Sequence, residues 1–379
     1  MSETLRTVVA GSHVVVCCGS GGVGKTTTAA VIAMEAAREG RRTVVVTIDP
    51  ARRLADALGL EGLTNTPSSV DGPWNRPGGS GGEMYALMLD TKSTFDGLVR
   101  RYSADPDQAE RILVNSFYRN ISGALSGTQE YMASEKLYEL AEEGDYDLVV
   151  VDTPPTRNAL DFLDAPHRLA HFLDHRLYKV LMTPTRGLVR AVNVAAQALV
   201  RSLSKVVGAE VIADAIAFFH AFEGMEEGFK QRAARVDELL SEHSTAFVLV
   251  ASPKADTVAE AGFFAEKLHE HGIDVRALIV NRMQPVFGTD GDGPAAGPDA
   301  ARERARTLAG TALGDLYTCL ADARQLARGE EEHLAGLAER VTPAPVVRVP
   351  VQPFEVSDLD SLEALARVMF DSGAHAGAE

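Results

Sequence analysis

Apolar positions along this chain follow two rhythms. Short, nearly unbroken runs recur at His13–Cys18 (HVVVCC), Arg42–Asp49 (RTVVVTID), Glu83–Asp90 (EMYALMLD) and Tyr146–Asp152 (YDLVVVD). They return at Thr245–Ala251 (TAFVLVA), Val275–Val280 (VRALIV) and Val346–Val351 (VVRVPV). Runs of this length without alternation predict strands covered on both faces, as in a parallel sheet. Between them, apolar residues at three- and four-residue spacing predict amphipathic helices. These are the alanine-rich segment ending near Glu39, Gln129–Glu142, Ala255–His271, a charged helix or helix pair within Ala301–Arg340, and Leu359–Phe370. The alternation predicts an α/β fold with a mostly parallel, doubly wound sheet flanked by helices. Ala165 to Val236 breaks the rhythm with helices alone. The expected division is therefore a core of residues 1–164 and 242–379 with an inserted helical subdomain at 165–241. Two Gly/Pro-rich stretches, 61–82 and 285–299, predict flexible loops. The first holds the only tryptophan, Trp74, read as a local anchor.

The junction between the first strand and the first long helix carries the chemistry. Gly19-Ser20-Gly21-Gly22-Val23-Gly24-Lys25-Thr26-Thr27 fits G-x-x-x-x-G-K-T in the strand–loop–helix setting that gives the pattern its meaning. Glycines let the backbone wrap a phosphate, successive N–H groups form an anion nest, and the helix N-terminus adds its positive dipole end. Lys25 is expected to reach the β- and γ-phosphates of a nucleotide, and the Thr26 hydroxyl to ligate Mg²⁺. Two later strands end in carboxylates, Asp49 and Asp152, where open α/β sheets place their ligands. Asp152 closes the run YDLVVVD and leads into Thr153-Pro154-Pro155, a Walker B arrangement suited to holding Mg²⁺ through a water. The two prolines cannot continue a ladder, which suits a switch segment.

Composition narrows the classes. The formal net charge of −16 argues against a general affinity for nucleic acid, and no nucleic-acid partner is expected. With only Cys17, Cys18 and Cys319 and no C-x-x-C, a disulfide framework is implausible, and no zinc or iron–sulfur cluster is expected. MSETLRTVVAG lacks the layout of a signal peptide, and no apolar run is long enough to span a bilayer. The expected location is the cytoplasm, with transient membrane association left open. The helical stretch differs in charge from the rest: Ala165 to Val207 holds seven Lys or Arg against one acid, Asp174. Its basic amphipathic helices fit a cap on the sheet, a groove for an apolar partner helix, or a membrane-surface patch. His167, His171 and His175 share one helical face there. Over two turns they splay about 12 Å, too far for one ion, so solvated histidines are the expectation.

Three motifs stand together, GSGGVGKTT, TIDPARRLADALG and VVDTPPTRNALDFLD. Together they resemble the ArsA-like ATPase family, which includes the arsenite-pump ATPases and the cytosolic ATPases that target tail-anchored membrane proteins. The resemblance implies an ATPase that uses ATP/ADP and Mg²⁺. It implies phosphate contacts from Gly21, Gly22, Val23, Gly24 and Thr27 beside Lys25 and Thr26, and a water-orienting role for Asp49 in switch I. It also implies a Mg²⁺-linked Asp152 in switch II and adenine contacts from Asn281, Pro353 and Phe354. Family members work as dimers whose nucleotide cycle opens and closes a helical groove. That implies a homodimer or heterodimer and, as client, an apolar helix of a membrane protein.

Departures from the pattern matter as much. The family usually carries a signature lysine between the first two glycines of the loop, and this chain has Ser20 there. A serine lacks the charge that such a residue extends to the partner's phosphates. The expectations are slow hydrolysis as a homodimer, or pairing with a lysine-bearing paralogue. The segment Ser126-Gly127-Thr128-Gln129-Glu130 keeps only the glycine and final glutamate of the family's P-G-x-D-E. The leading functional reading is an ATP-hydrolysing ATPase whose dimer opening and closing controls a client- or partner-binding helical region. A weakly hydrolysing regulatory subunit and a MinD- or ParA-like positioning ATPase are the alternatives.

Overall fold

A computed structural model describes residues 3–48, 53–75, 78–121, 128–154, 162–168, 171, 209–287 and 298–371. Eight strands form one sheet in the order β3-β4-β2-β5-β1-β6-β7-β8. They are β1 (Val14–Gly19), β2 (Arg42–Thr47), β3 (Ser68–Ser69), β4 (Glu83–Met88), β5 (Leu148–Asp152), β6 (Thr245–Ala251), β7 (Val275–Met283) and β8 (Val346–Pro350). All neighbours run parallel except the two-residue β3, which is antiparallel to β4. The seven long strands coincide with the seven apolar runs. β1, β5 and β6 are buried at every position, which accounts for their unbroken hydrophobicity.

Alternate residues of each strand feed opposite layers. Val15, Cys17, Val45 and Val150 pack beneath α1 (Leu5–Ala10), α2 (Lys25–Arg38) and the last helix, Leu359–Asp371. Val14, Val16, Cys18, Val44 and Val151 face helix α7 (Thr128–Tyr138) and the helices Glu226–Ser241, Ala255–Glu270 and Ala312–Arg340. The doubly wound fold follows from this two-sided burial. Cys17 and Cys18 fall on opposite faces, and burial pushes both thiols up, that of Cys18 to about 12. Cys319 is exposed. Thiol titration of the native protein is therefore expected to count one cysteine, rising to three in denaturant. A native count of two or three would contradict this packing.

A third apolar cluster stands apart from the sheet. Leu98, Ile112, Tyr118, Met132, Phe218, Phe222, Met225 and Phe229 join α4 (Thr91–Tyr102), α5 (Pro106–Leu113), α6 (Ser116–Ile121), α7, α8 (Ala209–Ala221) and α9 (Glu226–Ser241). This layer draws on residues before the 165–241 stretch as well as within it. α7 ends in one π-helical turn, Glu139–Glu143, just before β5. The predicted basic helices lie mostly outside the described residues, as does His175. His167 Nε2 sits 3.0 Å from Asp237 Oδ1 on α9. Among the described residues no group of three or more His, Cys, Asp or Glu is placed to hold a metal, and no helix is long and apolar enough to cross a membrane.

The remaining elements are α3 (Arg53–Ala57), α10 (Ala255–Glu270), the hairpin of α11 (Pro298–Thr307) and α12 (Ala312–Arg340), and the closing α13 (Leu359–Asp371). Nothing in the apolar pattern announces α1. Its six residues fold through a capping box in which the Thr4 and Thr7 side chains each bond the other's backbone. Within the 61–82 stretch, Val70 and Trp74 are 1% exposed and belong to the sheet core.

Candidate functional site: a phosphate loop and its carboxylate

The phosphate loop lies between β1 and α2, at the C-terminal edge of the sheet. Gly24 takes φ +99°, a left-handed conformation costly to any other residue, and a Cβ there would stand 2.3 Å from Asn281 Nδ2. Gly19 is equally constrained, because a Cβ would meet the Val250 carbonyl oxygen at 2.0 Å. No side chain caps the first turn of α2, so its N–H groups stay available to an anion. Lys25 is 7% exposed, and its Nζ donates to the Ser20 carbonyl oxygen at 2.9 Å, folding the side chain back over the loop.

Asp152 joins three elements at one carboxylate. Its Oδ2 accepts from the Thr26 hydroxyl at 2.7 Å and from the Thr47 hydroxyl at 2.9 Å. Thr26 opens α2, Thr47 closes β2, and Asp152 closes β5. Parallel pairing of β2 with β5 sets Thr47 opposite Asp152. Thr153 fastens the next step, since its hydroxyl donates to the Cys17 carbonyl at 2.8 Å. A 1% exposed carboxylate beside a threonine hydroxyl is an all-oxygen donor set, which suits Mg²⁺. When bound, that ion would neutralise phosphate charge, with Thr26 and Asp152 as the residues that hold it.

The loop opens into a cleft of about 700 Å³, within the range of small-ligand sites. Gly21, Gly22, Gly24, Lys25, Thr26 and Thr27 line its phosphate end, with Asp152 and Asn281 beside them. Val351, Gln352 and Phe354 line the cleft as well, and Pro353 between them is exposed. Asn281 faces the loop: its Nδ2 donates to the Val23 carbonyl at 2.9 Å, and its Oδ1 accepts from the Arg282 N–H at 2.9 Å. Asp49 lies outside the described residues. Ile48, just before it, is tied to α7 by Gln129 Nε2 donating to its carbonyl at 3.4 Å. Ser20, in the signature position, is 4% exposed, and its hydroxyl makes no hydrogen bond among the described residues.

Sequence reasoning missed Thr47 and Arg282. Thr47 is the one polar interruption near the end of an otherwise apolar run, which was its signal. Arg282 had none beyond adjacency to Asn281.

Comparison with known proteins agrees with this geometry. The sequence pattern of the anion-transporting ATPases (ArsA ATPase) matches residues 12–290, most of the chain. The chain is 27% identical over 269 residues to "ATPase ARSA2" of Chlamydomonas reinhardtii, covering 70% of this chain and 66% of that protein. It is 26% identical over 295 residues to an "ATPase ASNA1 homolog" of Entamoeba dispar, covering 75% and 78%. Against "ATPase GET3B" of Arabidopsis thaliana the identity is 27% over 290 residues, covering 72% and 64%. The chain thus spans about two thirds of the length of some of these relatives and over three quarters of another. With a phosphate loop, its carboxylate partner and this match in agreement, the chain belongs to the anion-transporting (ArsA-type) ATPase family of P-loop nucleotide-binding proteins.

Proposed function

We propose that this protein hydrolyses ATP with Mg²⁺ and uses the cycle to reposition its helical layer, which docks a client or partner. The observation that carries this reading is the convergence on Asp152. One carboxylate gathers the phosphate-loop helix through Thr26 and the end of β2 through Thr47, two residues before Asp49. A change in charge at this point bears on both switch segments together. Asp49 orients the attacking water in this reading, and catalysis rests on positioning and charge stabilisation. The working unit is a dimer, and an apolar helix of a membrane protein is the client class that fits the family.

Asp49→Asn is the discriminating variant. It is expected to keep ATP affinity within about threefold of the wild type and to lower turnover on the order of 10²-fold or more, since the nucleophile loses its orienting base. Calorimetry with ATP and a phosphate-release assay read the two effects. Unchanged turnover would remove Asp49 from the chemistry.

Ser20 favours a second reading, a subunit that binds ATP and hydrolyses it slowly until a lysine-bearing paralogue completes the site. A short, buried hydroxyl cannot supply a transition-state cation to another subunit, and such cations are worth roughly 10³-fold in rate. Turnover of the purified chain alone, compared with turnover beside such a paralogue, separates the two.

A further inference from the structure

Arg282 is the only non-glycine residue among those described with a positive φ, at +63°. It sits where the β7–β8 pairing shifts register between Asn281 and Met283, so the strand bulges at this residue. Left-handed backbone is costly for arginine, of the order that persists where surrounding structure enforces it and that clusters at ligand sites. Here the enforcement is visible. The Arg282 N–H donates to Asn281 Oδ1, and Asn281 Nδ2 donates to the Val23 carbonyl of the phosphate loop. The loop therefore sets the backbone that aims Arg282 into the cleft, where it is a lining residue. Asp56 and Glu355 line the same cleft, yet the guanidinium forms no ion pair or side-chain hydrogen bond among the described residues.

Position along the sheet tells which part of a ligand this cation meets. Strands lie about 4.8 Å apart, so in the order β1-β6-β7-β8 the end of β7 stands about 10 Å from the phosphate-loop strand and the end of β8 about 14 Å. A nucleotide with its phosphates in the loop runs along this edge. Its sugar and base then lie over β7 and over the segment after β8, where Val351 and Phe354 are 46% and 40% exposed. We propose that Arg282 is a base-end binding residue, its guanidinium stacked on the purine against the apolar Val351–Phe354 side of the cleft. The inference rests on the nucleotide reading of the site. Guanidinium planes stack on aromatic faces more readily than ammonium groups do, so lysine is a poor substitute here.

The test titrates the full-length protein with Mg·ATP and with Mg·tripolyphosphate, which has the phosphates without the base. Arg282→Ala is expected to weaken ATP about tenfold and to leave tripolyphosphate within about twofold, with Arg282→Lys recovering only part of the loss. Arg282→Gly removes the same contact and relieves the backbone, so its Tm should equal or exceed the wild type's while ATP affinity falls as in the alanine variant. Equal losses for both ligands would assign Arg282 to the phosphates and overturn the proposal. Unchanged ATP affinity, or a glycine variant that loses both Tm and tripolyphosphate binding, would overturn it as well. If the wild type bound neither ligand, the nucleotide reading itself would fail, which differs from a wild type that binds and a variant that binds equally.

Discussion

Lys25→Ala is expected to lose tight ATP binding, on the order of 10²-fold or more in Kd, while the protein stays folded. Truncating a buried charge that meets charged ligand groups costs 2–5 kcal/mol or more, about 30- to several thousand-fold. Lys25 qualifies because it is 7% exposed and already lies over the loop, with Nζ 2.9 Å from the Ser20 carbonyl. Little of the binding energy goes into ordering its side chain. The fold loses only the lysine's bond to one carbonyl, worth about 1 kcal/mol, so Tm should move by a few degrees at most. Calorimetry with ATP and a thermal melt separate the two effects. A Kd within threefold of the wild type would mean that the first-turn N–H groups of α2 carry the phosphates without this cation.

Much of this site is legible without coordinates because backbone grammar dictates it. The seven long strands announce themselves since each is buried on both faces, and a phosphate loop needs its glycines where a Cβ would strike Val250 or Asn281. Side-chain geometry across the sheet is a different matter. Thr47 meets Asp152 only because β2 and β5 pair in a particular register over 105 residues of sequence separation, and no local pattern encodes that pairing. Arg282 depends on a bulge that appears when β8 returns to pair with β7. Asn281, to which the family likeness assigns an adenine contact, is held in place by its Nδ2 donating to the Val23 carbonyl and its Oδ1 accepting from the Arg282 N–H, a pairing no local pattern encodes. The sequence predicts an insert of amphipathic helices at 165–241, much of which lies outside the described residues, and α8 and α9 within it belong to the helical layer. Its aromatic cluster also enlists α4, α5 and α6, because their apolar faces have no strand to cover.

The second large effect concerns Arg232, which sequence inspection passes over as one more charge on an amphipathic helix. It is 4% exposed. Its Nε donates to Glu135 Oε1 and its Nη1 to Glu143 Oε1, each at 2.6 Å, and its guanidinium carbon lies 3.9 Å from the Tyr138 ring centre. One arginine of α9 thus grips α7 and the π-helical turn after it. Arg232→Ala is expected to destabilise the protein by about 3–5 kcal/mol, because removing one partner strands the other charge in the interior. That partner is Glu135, 1% exposed, whose carboxyl is already pushed up by burial while Arg232 pulls it down. Without the arginine the burial effect stands unopposed and the folded-state pKa climbs further. A carboxyl raised in the folded state lends stability below its unfolded value, near 4.3, and loses it as pH rises through the folded value. The variant's deficit should therefore be largest at neutral pH and shrink as the solution is acidified toward the carboxylate range. Denaturant melts of wild type and variant at several pH values check both the size and the slope. Arg232→Met with Glu135→Gln should recover part of the loss, since the pair removed together leaves no buried charge. A deficit below 1 kcal/mol, or one that does not change with pH, would show that the helical layer holds to α7 by its apolar contacts alone and that Glu135 needs no cation.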